Sequence, residues 1–154
     1  MEKKPLSNIL NELWKWIRLT PRSYAVVSRT QEAQKSEEYM FPLWDAMIAE
    51  TVDLINGSVE DEISIDGILT AMALDNETED ILNYIAENGS ESFICRLIER
   101  GAVHLQPHAR WQCAELIKRR KPSNGRKMLS ILLSDRDEYV RKRAQNAVCE
   151  LNGT

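Results

Sequence analysis

The sequence predicts an all-α fold, an α-solenoid of about seven to eight antiparallel stacked helices in one domain spanning residues 1–154. Three observations point there. Apolar residues recur at helical spacing through most of the chain, and β-branched residues never gather into alternating runs. Glycine and proline are scarce, 6 and 5 residues, and fall between the periodic segments. One helical pattern recurs at an offset of 31 residues, from Ala109 to Val140, and self-similarity at such a period marks a stacked array.

The first helix runs from Pro5, suited to a first turn, to Leu19, with Ile9, Leu10, Leu13, Trp14 and Ile17 on its apolar face. Trp16, two residues from Trp14, points away from that face and toward solvent. Thr20-Pro21 ends the helix. Residues 23–36 read as a short helix or an irregular connection, with a solvated polar run that is the loosest part of the chain. Residues 1–36 together form an atypical N-terminal cap. Glu37 to Ile55 carries a wide stripe that includes Met40, Phe41, Trp44, Met47, Ile48 and Ile55, with Pro42 in its first turn or at a kink. Asn56-Gly57 stops it, and residues 58–62 form an acidic linker.

Three helices of about ten residues follow, over 65–74, 78–87 and 90–101, and need neighbours to be stable. Asp75 to Thr78 is a turn and cap, and Ser90 caps the third. Residues 37–106 read as divergent repeats. Pro107 to Lys121 is a better-defined helix, with the cationic run 118–121 at its C-terminus, where cations suit the helix dipole. Arg126 to Leu133 is a short return helix. Asp135 or Asp137 caps the last one, whose core face is Tyr139, Val140, Ala144, Ala147, Val148 and Leu151.

In the repeat, Arg110 matches Arg141, Cys113 matches Ala144, Leu116 matches Ala147 and Ile117 matches Val148. The short helix before each pattern is its packing partner. With Asp135, Val140, Arg141, Ala144, Ala147 and Val148 in their places, the chain resembles the short-period HEAT-like repeat family, best over 132–151 and more loosely over 107–133. Val148 stands where leucine is commoner. The resemblance implies a stack of helix pairs with a concave binding face. It also implies that Asp135, Arg110 and Arg141 tie adjacent repeats together through charge-assisted hydrogen bonds.

Charge is unevenly spread. Residues 1–29 carry a net +4, residues 30–101 a net −14 and residues 102–154 a net +6, which sum to −4. This polarity either creates a field that steers a charged partner or is internally complementary, with the acidic middle packed beside the basic end. Cys95, Cys113 and Cys149 fall on apolar helix faces outside any CxxC, which predicts buried, reduced thiols and a cytoplasmic setting. The N-terminus has no apolar core of a signal peptide, and no apolar run approaches a membrane span.

No nucleophile motif or glycine-rich phosphate loop is present, and the expectation is a protein without catalytic residues, cofactor or metal. His104 and His108 are four apart, but Pro107 between them starts a helix, so they do not stack as ligands.

Two sets of residues remain as binding candidates. The acidic set, Glu60, Asp61, Glu62, Asp75, Glu77, Glu79 and Asp80, recurs at helix starts and turns, so much of it lies on one rim if the helices stack. With Trp16 and Trp44 as aromatic anchors it suits capture of a basic protein. A small acidic helical protein of this kind resembles bacterial immunity proteins, which neutralise a cognate toxin, often a cationic nuclease. The alternative is nucleic-acid binding through Arg110, Trp111, Lys118, Arg119, Arg141 and Lys142, with Trp111 stacking on a base, as in HEAT-like DNA glycosylases. A scaffold or regulatory subunit is a third reading.

Overall fold

The computed structural model describes residues 3–30 and 37–153, and the part of the polar connection at 31–36 lies outside them. Among the described residues the chain forms nine α-helices and no strand. They are α1 (Leu6–Ile17), α2 (Pro21–Val27), α3 (Trp44–Asn56), α4 (Glu62–Leu74), α5 (Asp80–Asn88), α6 (Glu91–Gly101), α7 (Pro107–Arg120), α8 (Gly125–Leu132) and α9 (Glu138–Asn152). The helix beyond the anticipated count is α2. Thr20 makes it, because its Oγ1 accepts from the Ser23 N–H at 3.0 Å and Pro21 pre-sets the first turn. No helix is long and apolar enough to cross a membrane among the described residues.

Two boundaries differ from the sequence reading. The segment 37–55 is split: Glu38–Met40 is a single 3₁₀ turn, and α3 starts only after Pro42, which disfavours a helical residue before it. Met40 therefore leaves the apolar stripe and is 71% exposed. Asp61 and Glu62 are the cap and the first residue of α4 rather than part of a linker, because the Asp61 carboxylate accepts from the Ser64 N–H at 2.9 Å.

One hydrophobic cluster takes in residues of every α-helix. Its centre is α7, buried without a break from Ala109 to Ile117 and packed against α4, α5, α6, α8 and α9. A helix covered on all sides belongs to the interior. α4, buried from Gly67 to Leu74, packs against α7 and also meets α1, α3, α5 and α6. Gly101 allows α6 to lie this close to α7 and α4, since a Cβ there would run into Cys113 Sγ and Leu69 Cδ2. α6 lies on α7, α8 on α9, α6 beside α8 and α7 beside α9. Val140, Ala144 and Ala147 are buried on the face of α9, and small residues at these positions suit a close helix contact.

α7 is interior yet polar, so its side chains need partners inside the protein. Arg110, 4% exposed, donates from Nε and Nη2 to the two Asp135 oxygens at 2.7 and 3.1 Å, and from Nη1 to the carbonyls of His104 and Leu105. Gln112 Nε2 donates to Met72 O at the end of α4. His108 holds the N-terminal region: its Nε2–H donates to Ser28 O at 3.2 Å while Nδ1 accepts from the Trp111 indole N–H at 2.9 Å. Burial, with Arg29 adding, lowers the His108 pKa to about 4. Arg29 pairs with Asp137, the cap of α9, and Gln106 Nε2 donates to Pro21 O.

The cysteines do not share one environment. Cys113 is buried, and burial pushes its thiol up to about 12, but Cys95 is half-buried and Cys149 is exposed on the outer side of α9. Tyr139, placed on the core face of the last helix by periodicity, is 36% exposed, because α9 packs on α7 and α8 and is otherwise open.

Two predictions follow from α7. Arg110→Ala leaves Asp135 buried without its cation and lowers stability by about 3–5 kcal/mol in urea unfolding, whereas Arg110→Met with Asp135→Leu recovers most of the loss. For His108 the folded-state pKa lies below the unfolded value of 6.5, so the unfolded chain binds the proton first. Its contribution is complete above pH 6.5 and is lost as pH falls toward 4. Between those limits wild type loses about 3 kcal/mol more than His108→Gln, which keeps a donor and an acceptor but does not titrate, in urea titrations at each pH.

Candidate functional site

The C-terminal end of α4 turns through residues 75–79 into α5. Asp75 shapes this turn. Its Oδ1 accepts from the Thr78 hydroxyl and its Oδ2 from the Ile81 N–H at 2.9 Å, so it caps α5 from inside and is 1% exposed. The turn then presents Glu77 and Asp80 to solvent, with Glu79 half-exposed in a left-handed conformation, φ 56°. Burial, with the nearby charge of Asp80 adding, raises the Asp75 carboxyl above the usual range.

Aromatic residues border this acidic turn. The Glu77 N–H donates to the Tyr39 hydroxyl at 3.0 Å, and the Tyr39 ring lies 4.7 Å from that of half-buried Trp44. Phe41, two residues on from Tyr39, packs on Trp16 at 5.9 Å, and Trp16 is 39% exposed. Below them Tyr24 donates to Glu38 Oε1 at 3.4 Å and accepts from Asn76 Nδ2 at 3.3 Å, fixing the turn to α2. Burial above all, and then the charges of Glu77, Asp75 and Glu38, holds the Tyr39 phenol above its ordinary pKa, so it stays protonated. Glu77 is thus joined through Tyr39 to Trp44, with Glu79 and Asp80 following in the same turn, and Trp16 packs on Phe41 two residues along from Tyr39.

The acidic residues do not form one rim. Asp75 is interior, and its carboxylate is used by the fold. Glu60, Asp61 and Glu62 sit at the other end of α4, about 18 Å away along a helix of 13 residues. There Asp61 is a cap, Glu60 accepts from Ser92 at 3.0 Å, and Glu62 pairs with Arg100 at 2.6 Å.

The nucleic-acid set is divided more severely. Arg110 and Trp111 are each 4% exposed. The face of the Trp111 ring is covered by the Arg143 guanidinium at 4.5 Å, and Tyr139 packs against the ring edge-on at 5.6 Å, so no base can stack there. Lys118, Arg119 and Arg143 converge on the single carboxylate of Glu115 at 3.6, 3.1 and 2.8 Å. Arg141 donates to the Asp135 backbone carbonyl at 2.7 Å, and Lys142 is exposed. His104 and His108 diverge, His104 toward Asp66 at 2.9 Å, and no group of three metal-ligating side chains forms among the described residues.

Tyr39 and Glu115 escape a reading by sequence: Tyr39 meets Glu77, 38 residues on, and Glu115 joins its local partners Lys118 and Arg119 to Arg143, 28 residues on. Asp75 stands in a stretch that reads as a turn and cap, but the amide it accepts from is that of Ile81, six residues on and beyond any local cap pattern. Comparison with protein-family models, curated proteins and solved structures finds no significant match to this chain.

The two kinds of acid in the turn separate by mutation. Asp75→Ala strands the Thr78 hydroxyl and the Ile81 amide and costs about 2 kcal/mol in thermal or urea unfolding. Glu77→Ala and Asp80→Ala each change stability by less than about 0.5 kcal/mol.

Proposed function

We propose that this chain is a non-enzymatic, HEAT-like α-solenoid that binds another protein, and that its partner is basic. In its most specific form it is a bacterial immunity protein that acts in the cytoplasm and neutralises a cognate cationic, nuclease-like toxin. The surface that meets the partner is the strip of Glu77, Glu79, Asp80, Trp44 and Trp16.

The observation that carries this reading is how charges are used inside the molecule. Among the described residues, no Lys or Arg of residues 102–153 pairs with an acid of residues 37–101; the ion pairs of Arg110, Lys118, Arg119 and Arg143 go to Asp135 and Glu115 of the same third. The acidic middle is therefore not neutralised by the basic end. Glu77, Glu79 and Asp80 have no ion pair among the described residues. Such a concentration of charge raises the rate of encounter with a cationic surface, and half-buried aromatic residues beside it supply contact area at low entropic cost. The Arg110–Asp135 joint between the two best-matched units supports the HEAT-like reading. The same use of cations argues against nucleic acid, since much of the basic set is already engaged.

The test is association kinetics with the product of the adjacent gene where that product carries a cationic C-terminal domain. Glu77→Lys, Glu79→Lys and Asp80→Lys together slow association about 10- to 100-fold at low salt, and the wild-type rate falls as salt rises. An on-rate indifferent to the triple change removes this strip as the binding surface. Retardation of DNA or RNA by the wild-type protein at moderate salt, weakening steeply with added salt, replaces the reading with nucleic-acid binding.

A further inference from the structure

A groove of about 1050 Å³ opens between α1 and the N-terminal half of α4, closed at its ends by the start of α2 and by the α6–α7 connection. Trp14 lines it, whereas Trp16 packs on Phe41 in the acidic strip. Residues two apart on a helix point in roughly opposite directions, so the groove and the strip flank α1 on different sides. Gly67 lets α4 approach α1 closely, since a Cβ there would lie 3.1 Å from Leu6 Cδ2.

Its two walls differ in charge. On the α4 side both acids are engaged, Glu62 by Arg100 at 2.6 Å and Asp66 by His104 at 2.9 Å, and the bond to His104 holds Asp66 below the usual carboxylate range. On the α1 side Lys15 and Arg18 line the groove and have no ion pair among the described residues. The acid of α1, Glu12, is already taken by Lys4 at 2.8 Å. Between the walls lie Leu10 and Trp14, with Ile63 76% exposed and Leu105 37% exposed at the margins.

We propose that this groove docks a short segment of a partner protein that carries carboxylates next to aliphatic or aromatic side chains. The carboxylates meet Lys15 and Arg18, and the apolar groups cover Leu10, Trp14, Ile63 and Leu105. The dimensions suit a peptide: α1 from Ser7 to Arg18 runs about 16 Å, the length of about five extended residues or three helical turns. The volume is at the upper limit of pockets for small molecules. This site goes beyond the acidic strip and has the opposite sign, so the protein presents two surfaces of different preference on either side of one helix.

The experiment is selection of random peptides on the immobilised full chain, followed by anisotropy of labelled copies of the enriched peptides. They are measured against wild type, Lys15→Glu with Arg18→Glu, Ile63→Glu, and the Glu77, Glu79, Asp80 to Lys variant. All of the substituted groove positions are exposed, and matched melting curves confirm that each variant folds. Enriched peptides are expected to be acidic with at least two apolar residues. Their affinity is expected to fall at least ~10-fold in both groove variants and to be unchanged in the strip variant. The proposal is overturned if no acidic peptide is enriched, if binding of the acidic peptides survives both groove variants, or if it is lost only in the strip variant. It is also overturned if a labelled single-stranded oligonucleotide binds the groove more tightly than the peptides. Loss in the strip variant alone would leave the acidic surface standing as a binding site while removing the groove.

Discussion

A guanidinium in the interior must have its charge and its donors satisfied there, and Arg110 imposes that requirement at the centre of this protein. Its fork grips Asp135, in the connection between α8 and α9, and its remaining nitrogen holds the two carbonyls that lead into α7. The same helix sends Gln112 to the end of α4 and His108 to the backbone after α2. α7 is thus an interior helix whose polar side chains set where its neighbours stand. Apolar packing brings the helices together without direction, whereas these bonds select one arrangement among those that would bury similar area.

The same economy of partners decides what is left on the surface. Three cations of the basic end converge on Glu115, and Arg29 reaches Asp137. The acids between α4 and α5 gain no such partner, and the aromatic residues around Tyr39 sit beside them. On the other side of α1 the balance reverses, because Arg100 and His104 engage the acids of α4 and leave Lys15 and Arg18 facing the groove. Net charge by segment would assign one sign to each stretch of chain. The fold instead pairs some acids of the middle, Glu62 with Arg100 and Asp66 with His104, and leaves Glu77, Glu79 and Asp80 without an ion pair among the described residues.

Much of the architecture was legible from the chain. The apolar spacing in α1, α5, α6 and α9, the stops at Asn56-Gly57 and Asn88-Gly89, and the capping residues Ser90 and Asp137 are local features that act within one or two turns. Trp16 could be assigned an outward direction for the same reason. The errors arose where local rules compete. Pro42 permitted either a first-turn position or a break, and the backbone took the break. Tyr139 satisfies a helical stripe, but a stripe gives the direction of a side chain and not whether a neighbour stands there. The candidate site was less legible: Asp75 and Glu77 are two residues apart and chemically alike, yet one is a buried cap and the other is bare.

Composition and periodicity by themselves determined that this chain is helical, where most helices begin and end, and that its charge is segregated along its length, because each of these depends on residues close in sequence. Tertiary structure alone decided that the acidic residues fall at two ends of α4, that Arg110 and Trp111 are interior, and that Arg110 and Arg143 pair with acids of the basic end. Those outcomes depend on partners 25 or more residues away, such as Asp135 for Arg110 and Arg143 for Glu115, whose proximity exists only once the helices have packed.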